Sequence, residues 1–183
     1  MKPILQVEDD PNDVFFLQRA MTKAGVENPI HVASDGQQAI DYLQGAGKFA
    51  DRGEFQLPCL ILLDLKLPHV MGLDVLRWIR QQPGLALPVV LLTASAQKAD
   101  IATAYRLGAN GFLVKPSQAG KLEEMVKAIR DFWLTHNTLP QVYRPERAAA
   151  PARACSPVAA APRVRRVNGA RRGAWPRHLR QIK

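Results

Sequence analysis

The stretch CLILLDLKLP, Cys59 to Pro68, holds five apolar residues and then breaks on a carboxylate, Asp64. A short run of this kind reads as a strand buried on both faces. An ionised side chain at the edge of a core is costly unless something compensates it. Asp64 is therefore either a solvated loop residue or one member of a site built at the strand's carboxyl end. The ends of the other strands decide between the two.

Outward from this strand the chain repeats one pattern. PILQV (3–7), IHVA (30–33), PVVLLTA (88–94) and GFLV (111–114) are further short apolar runs. Amphipathic stretches separate them. Residues 11–25 place Val14, Leu17, Met21 and Ala24 on one helical face, and a helix capped by Ser34 or Asp35 carries Ala39, Ile40 and Leu43. A Gly-containing loop (45–57) precedes the central strand, and Gly72 precedes a helix with Leu73, Leu76 and Ile79. Residues 97–107 form a helix stopped by Gly108, and a last helix carries Leu122, Met125, Val126, Ile129 and Trp133. Five strands alternating with five helices imply an α/β, doubly wound parallel sheet covered on both faces.

In such sheets ligands bind outside the carboxyl ends of the strands. At those ends stand Glu8, Asp9 and Asp10, then Asp64, then Thr93 and Ala94, then Lys115 and Pro116. Singly, each has an ordinary reading as a helix cap or loop turn, and Phe112 reads as plain core. Together they bring carboxylates, a hydroxyl and a lysine into one cleft, which gives Asp64 its compensation.

This set resembles the receiver domain of two-component response regulators. The acidic pair in VEDD, DLKLPHVMG fitting D-x-x-x-P-x-x-x-G, the Thr of LLTA, and FLVKP carry the resemblance, over residues 3 to about 135. Glu8 as the first acid, the long GKFADRGEFQLP loop and the closing FWLTHNTLP resemble the single-domain receivers paired with phytochrome-type histidine kinases. The resemblance implies a flavodoxin-like five-stranded sheet of order 2-1-3-4-5. It implies a response regulator that accepts a phosphoryl group from a sensor histidine kinase onto Asp64. Such a protein signals through a phosphorylation-dependent change of its surface and is not a turnover enzyme. Mg2+ or Mn2+ would be held by Glu8, Asp9 and Asp64 with the Lys66 backbone carbonyl, while Asp10 falls one place too late. Lys115 would contact a phosphoryl oxygen and pair with Asp64 beforehand. Thr93 would donate its hydroxyl, and the ring of Phe112 would report the movement. Lys66 and Ala94 stand where the family modulates phosphoryl lifetime, and a cis peptide before Pro116 is implied.

Charge divides the chain. Residues 144–183 hold ten Arg and one Lys against Glu146, a net charge of +10, so residues 1–143 carry 14 basic and 15 acidic groups, a net of −1. The expected organisation is a receiver over 1–136, its extension over 137–143 and an Ala/Arg/Pro-rich tail over 144–183. With five prolines and few large apolar residues, the tail cannot offset an ordering entropy of roughly 1–2 kcal/mol per residue, and disorder is expected. Its composition resembles a GC-rich frame read out of register. The functional alternative is a basic arm for nucleic acid or anionic lipid.

Two other function classes meet particular residues that speak against them. Aspartate-nucleophile phosphatases of the haloacid dehalogenase type resemble D-x-D, but the second position here is Lys66. A nucleic-acid-binding regulator has only the basic tail in its favour, since no helix-turn-helix follows the receiver. Cys59 and Cys155 make no disulfide framework, and His31, His69, His136 and His178 show no ligand spacing and read as surface or loop residues. No run approaches the roughly 20 apolar residues of a membrane span, and five residues between Lys2 and Glu8 are too few for a signal-peptide core, so the cytoplasm is expected. Phe132, Trp133 and Leu134 cannot all face one core. At least one is expected to be exposed, pointing to a homodimer contact on the face of the fourth helix, fifth strand and fifth helix, unless the following chain folds back over it.

Overall fold

Burial along each strand follows its place in a parallel sheet. The computed structural model of the chain describes residues 1–138, with strands β1 (Ile4–Val7), β2 (Ile30–Ala33), β3 (Leu60–Leu63), β4 (Val89–Thr93) and β5 (Gly111–Val114). Their order is β2-β1-β3-β4-β5, and every pairing is parallel. The central strands β1, β3 and β4 are buried throughout, whereas the edge strands β2 and β5 are largely half-buried. A strand covered on both faces gains from apolar residues at every position, which is why LILL and VVLL show no alternation. The extension expected over 137–143 is described only at Asn137 and Thr138, and the tail expected over 144–183 lies outside the described residues.

The helices are α1 (Pro11–Lys23), α2 (Gly36–Gln44), α3 (Gly72–Gln81), α4 (Lys98–Arg106) and α5 (Ala119–Ile129). Successive strand residues point to opposite faces. Leu60, Leu62, Val90 and Leu92 meet Leu17 and Met21 of α1 and Val126 and Ile129 of α5. Ile61, Leu63, Val89 and Leu91 meet Tyr42 and Leu43 of α2, Leu76 and Ile79 of α3, and Ala104 of α4. Each large side chain fully buried in these layers contributes roughly 1.5–3 kcal/mol. Asp10 caps α1, accepting from the Asn12 amide at 2.8 Å, which accounts for the third acid of VEDD. Asp35, not Ser34, caps α2 by accepting from Gln38 N at 2.7 Å.

Three expectations shift. The buried face of α2 is Ala39, Tyr42 and Leu43, while Ile40 is only partly buried. Tyr42 displaces it because its hydroxyl donates to the Gln56 carbonyl at 2.8 Å and its ring packs edge-on against Phe49 and Phe55. His31, read as a surface or loop residue, is half-buried in β2, its ring edge-on to Tyr42 and Phe55. The last helix does not run on as α-helix to Trp133. A π-helical turn, Arg130–His136, follows α5 and leaves Phe132 56% exposed, while Trp133 and Leu134 are half-buried against the α1/α5 layer.

Gln6 breaks the apolar run of β1. It is 1% exposed, and neither its amide oxygen nor its nitrogen has a hydrogen-bond partner. A buried amide without partners costs about 1–3 kcal/mol. Gln6→Met keeps the length of the side chain and removes both polar atoms. It is expected to raise unfolding free energy by about 1 kcal/mol in urea titration.

Candidate functional site

The sheet order reverses between β1 and β3, and there the carboxyl ends of two strands open a crevice. The Asp64 amide donates to the Val7 carbonyl at 3.0 Å, so the ladder of β1 and β3 runs on into the crevice and holds Asp64 beside Glu8. One Asp64 carboxylate oxygen, Oδ1, accepts from the Leu65 amide at 2.7 Å. The other, Oδ2, faces the Lys115 ammonium at 3.5 Å. On the opposite side of the sheet's centre the Lys115 amide donates to the Thr93 carbonyl at 2.9 Å, which extends the β4–β5 ladder by one step and fixes Lys115 next to Thr93. Pairing register thus brings four strand ends together from residues far apart in the chain.

Glu8 and Asp64 are buried, at 4% and 8% exposure, and Asp9 is exposed. One carboxylate oxygen from each lies within 4.8 Å of the others. Three such oxygens at the mouth of a crevice, two already withdrawn from water, are the donor set a hard divalent cation takes. Thr93 is buried, with its hydroxyl oxygen accepting from the Ser95 amide at 3.3 Å. Lys66 and Ala94 are exposed at the rim. Phe112 is half-buried against the layer formed by α2, α3 and α4, on the other face of β5 from Leu113.

Lys115 forms the expected pair with Asp64 and adds two closer partners. Its ammonium bonds Glu8 Oε2 and, at 2.7 Å, Asp13 Oδ2, and both contacts are closer than the one to Asp64. Burial works against the charged lysine, but the hydrogen bonds to Asp13 and Glu8 and the charge of Asp64 outweigh it and raise its pKa above 10.5. Asp13 is the residue that sequence reading overlooks. An acid in the first turn of a helix is ordinary, and its contact with the lysine spans distant parts of the chain. The Lys115–Pro116 peptide is trans, and among the described residues no peptide bond is cis, contrary to the expectation for that bond. Trans is the favoured isomer of an X–Pro bond by roughly 0.5–1 kcal/mol.

Glu8 carries the opposite strain. Burial pushes its carboxyl above 4.5, the Lys115 hydrogen bond pulls it back, and the neighbouring Asp64 charge adds to the rise. Between 4.5 and that raised value the folded chain holds a proton the unfolded chain has released, so stability falls as pH rises through the window. A divalent cation and the proton compete for this carboxylate. The rise in Tm produced by Mg2+ is therefore expected to be larger at about pH 7.5 than at about pH 5, measured by calorimetry. An equal rise at both would detach Glu8 from the metal.

Residues 4–127 match the family described as the response regulator receiver domain. The chain belongs to the response regulator receiver family. Response regulator Rcp1 of Synechocystis sp. (strain PCC 6803) is 37% identical to this receiver over 140 residues, covering 76% of this chain and 93% of Rcp1. The probable methanogenesis regulatory protein FilR2 of Methanothrix harundinacea is 37% identical over 138 residues, 75% of this chain and 86% of FilR2. Among solved structures, the phosphorylated cyanobacterial phytochrome response regulator RcpA matches with a TM-score of 0.71 at 37% identity, over 76% of this chain and 99% of RcpA. The Mn2+-bound form of Rcp1 matches with a TM-score of 0.70 at 37% identity, over 77% of this chain and all of that one. The receiver's Glu8–Asp9–Asp64 cluster fits the divalent-metal site of the family. Among the described residues no helix is long and apolar enough to cross a membrane.

Proposed function

We propose that this receiver takes a phosphoryl group from the phosphohistidine of a sensor histidine kinase onto Asp64, with Mg2+ or Mn2+ held by Glu8, Asp9, Asp64 and the Lys66 carbonyl. The observation that carries the reading is the convergence of Asp64, two further carboxylates, Thr93 and Lys115 at one switch point of the sheet. A bound divalent cation supplies neutralisation of charge on the transferring group. The remaining work falls to the chain. Asp64 is oriented by the Leu65 amide, which occupies Oδ1 and leaves Oδ2 as the nucleophile. Its oxygen forms the new bond to phosphorus as the histidine nitrogen leaves with the electron pair. Lys115 neutralises an equatorial oxygen, Thr93 donates its hydroxyl to another, and Phe112 follows Thr93. Lys66 and Ala94, exposed at the rim, stand where water reaches the acyl phosphate and set how long the phosphoryl persists, and the protein carries a signal without enzymatic turnover.

The relatives named as phytochrome response regulators support a phytochrome-type kinase as donor. Phe15 and Phe16 are adjacent on α1 and both more than half exposed. Phe16 also lines a cleft of about 450 Å³ between α1 and α5 that opens beside Lys115. This apolar edge is where the kinase helix carrying the histidine seats. Exposed Tyr105 on α4, Val114 on β5 and Phe132 just after α5 support contact between two copies on that side. The test is phosphotransfer from a panel of autophosphorylated kinases to the full chain and to Phe16→Ala. The account expects one kinase to label the chain within seconds, the variant to accept slowly from that kinase, and both to accept equally from acetyl phosphate. Equal transfer from every kinase to both proteins would contradict it.

A further inference from the structure

Lys115 has three acidic neighbours and does not serve them equally. Its ammonium sits on Glu8 and on Asp13 at 2.7 Å, and stands 3.5 Å from Asp64. Asp13 belongs to α1, outside the trio of carboxylates that face one another across the crevice, and its side chain is 42% exposed against 10% for Asp64. It faces the cleft between α1 and α5, whose lining also includes Glu8 and Lys115. The acidic pair Glu8–Asp9 and the acceptor Asp64 account for the metal and the chemistry, and Asp13 has neither task.

The ammonium has three donors, but it lies closer to Asp13, at 2.7 Å, than to Asp64 Oδ2, at 3.5 Å, so a phosphoryl oxygen on Asp64 competes with Asp13 for its position. Phosphorylation adds charge and three acceptor oxygens to Asp64. A cation taking Glu8 as a ligand removes one of the lysine's two close partners. Asp13 is the partner that stays, because it does not share the metal cluster. Drawing Lys115 toward the phosphoryl works against a charge-assisted hydrogen bond of ordinary length to Asp13.

We propose that Asp13 is a positioning residue that holds Lys115 on the α1 side of the crevice and so restrains phosphorylation of Asp64. This rests on Asp64 as the acceptor. Asp13 competes with the transferring phosphoryl for one lysine, lowering both the rate of acceptance and the lifetime of the product. A merely structural role, as an acid at the start of a helix, predicts a change in melting temperature and none in the chemistry.

Acetyl phosphate with Mg2+ tests this on the full chain, since it needs no kinase docking. An Asp64 oxygen bonds phosphorus, the bond from phosphorus to the acetyl oxygen breaks, and acetate leaves with the electron pair. Intact-mass measurement follows both acceptance and decay. Asp13→Asn is expected to accept about fivefold faster and to lose the phosphoryl more slowly, whereas Asp13→Glu, which keeps the anion, stays near the parent. In a Lys115→Met background the same Asp13→Asn change is expected to do little. An unchanged or slower rate for Asp13→Asn overturns the proposal. A fivefold gain that persists without Lys115 also overturns it, since the effect is then general charge and not lysine positioning. Labelling of Asp64→Asn would instead be a failure of the acceptor assignment, which this series separates from the role of Asp13.

Discussion

Lys115→Met is expected to slow phosphoryl acceptance by about 100-fold while tightening Mg2+ binding by about tenfold. Two effects of opposite sign from one substitution follow from where the ammonium sits. It bonds Glu8, which is also a metal ligand in the proposed site, so the lysine and the cation compete for that carboxylate. Removing the lysine frees Glu8 for the metal. The same removal strips the crevice of its charge-neutralising donor, and loss of one such donor typically costs a factor of 10²–10³ in rate. Without metal the variant leaves Glu8 buried beside Asp64 with no cation, so its Tm is expected to fall and to recover on adding Mg2+. Isothermal titration and intact-mass kinetics read the two effects separately. A variant weaker in both would mean that Lys115 supports the metal site and does not oppose it.

Gly72→Ala is expected to destabilise the fold by about 3 kcal/mol, at the upper end of overpacking costs. A methyl at this position would stand 1.9 Å from the Asp64 carbonyl oxygen and 2.9 Å from Leu65 Cα. Both are backbone atoms and cannot swing aside. The loop from Asp64 to Gly72 is closed by the Gly72 amide donating to the Leu65 carbonyl at 3.0 Å, so any shift opens that bond and displaces Asp64. His69 in the same loop already adopts a left-handed φ of 63° and leaves little room to adjust. Gly120→Ala in α5 is the control. It meets no atom within 4 Å and is expected to gain up to about 1 kcal/mol from helix propensity. Urea titrations of the two variants should move in opposite directions, and a neutral Gly72→Ala would mean that the loop is pliant.

What the sequence makes legible is whatever strand ends determine. Periodicity places the ends of β1, β3, β4 and β5 to within a residue, and parallel pairing then forces Glu8, Asp64, Thr93 and Lys115 onto one edge. Asp10 is separable from the acid pair through the family resemblance, in which it falls one place too late, and its cap on α1 explains it. Side-chain choices that depend on tertiary direction were not legible. Asp13 meets Lys115 across 102 positions of the chain, and no local pattern encodes that contact. Ile40 and Tyr42 are both plausible inward residues of α2. The outcome is decided by Phe49, Phe55 and Gln56 in the long loop, whose aromatic cluster read only as connecting chain. The π turn after α5 likewise follows from packing Trp133 and Leu134 while Phe132 turns outward, a compromise among three adjacent residues.

The most direct measurement is peptide mapping of the full chain after acetyl phosphate and Mg2+, beside Asp64→Asn. Asp64→Asn keeps the side chain's shape and removes its nucleophilic carboxylate. The account predicts one phosphoryl group on the parent chain, confined to the peptide containing Asp64, and none on the variant. Equal labelling of both proteins, or a phosphoryl group on any other residue of the parent, would contradict it.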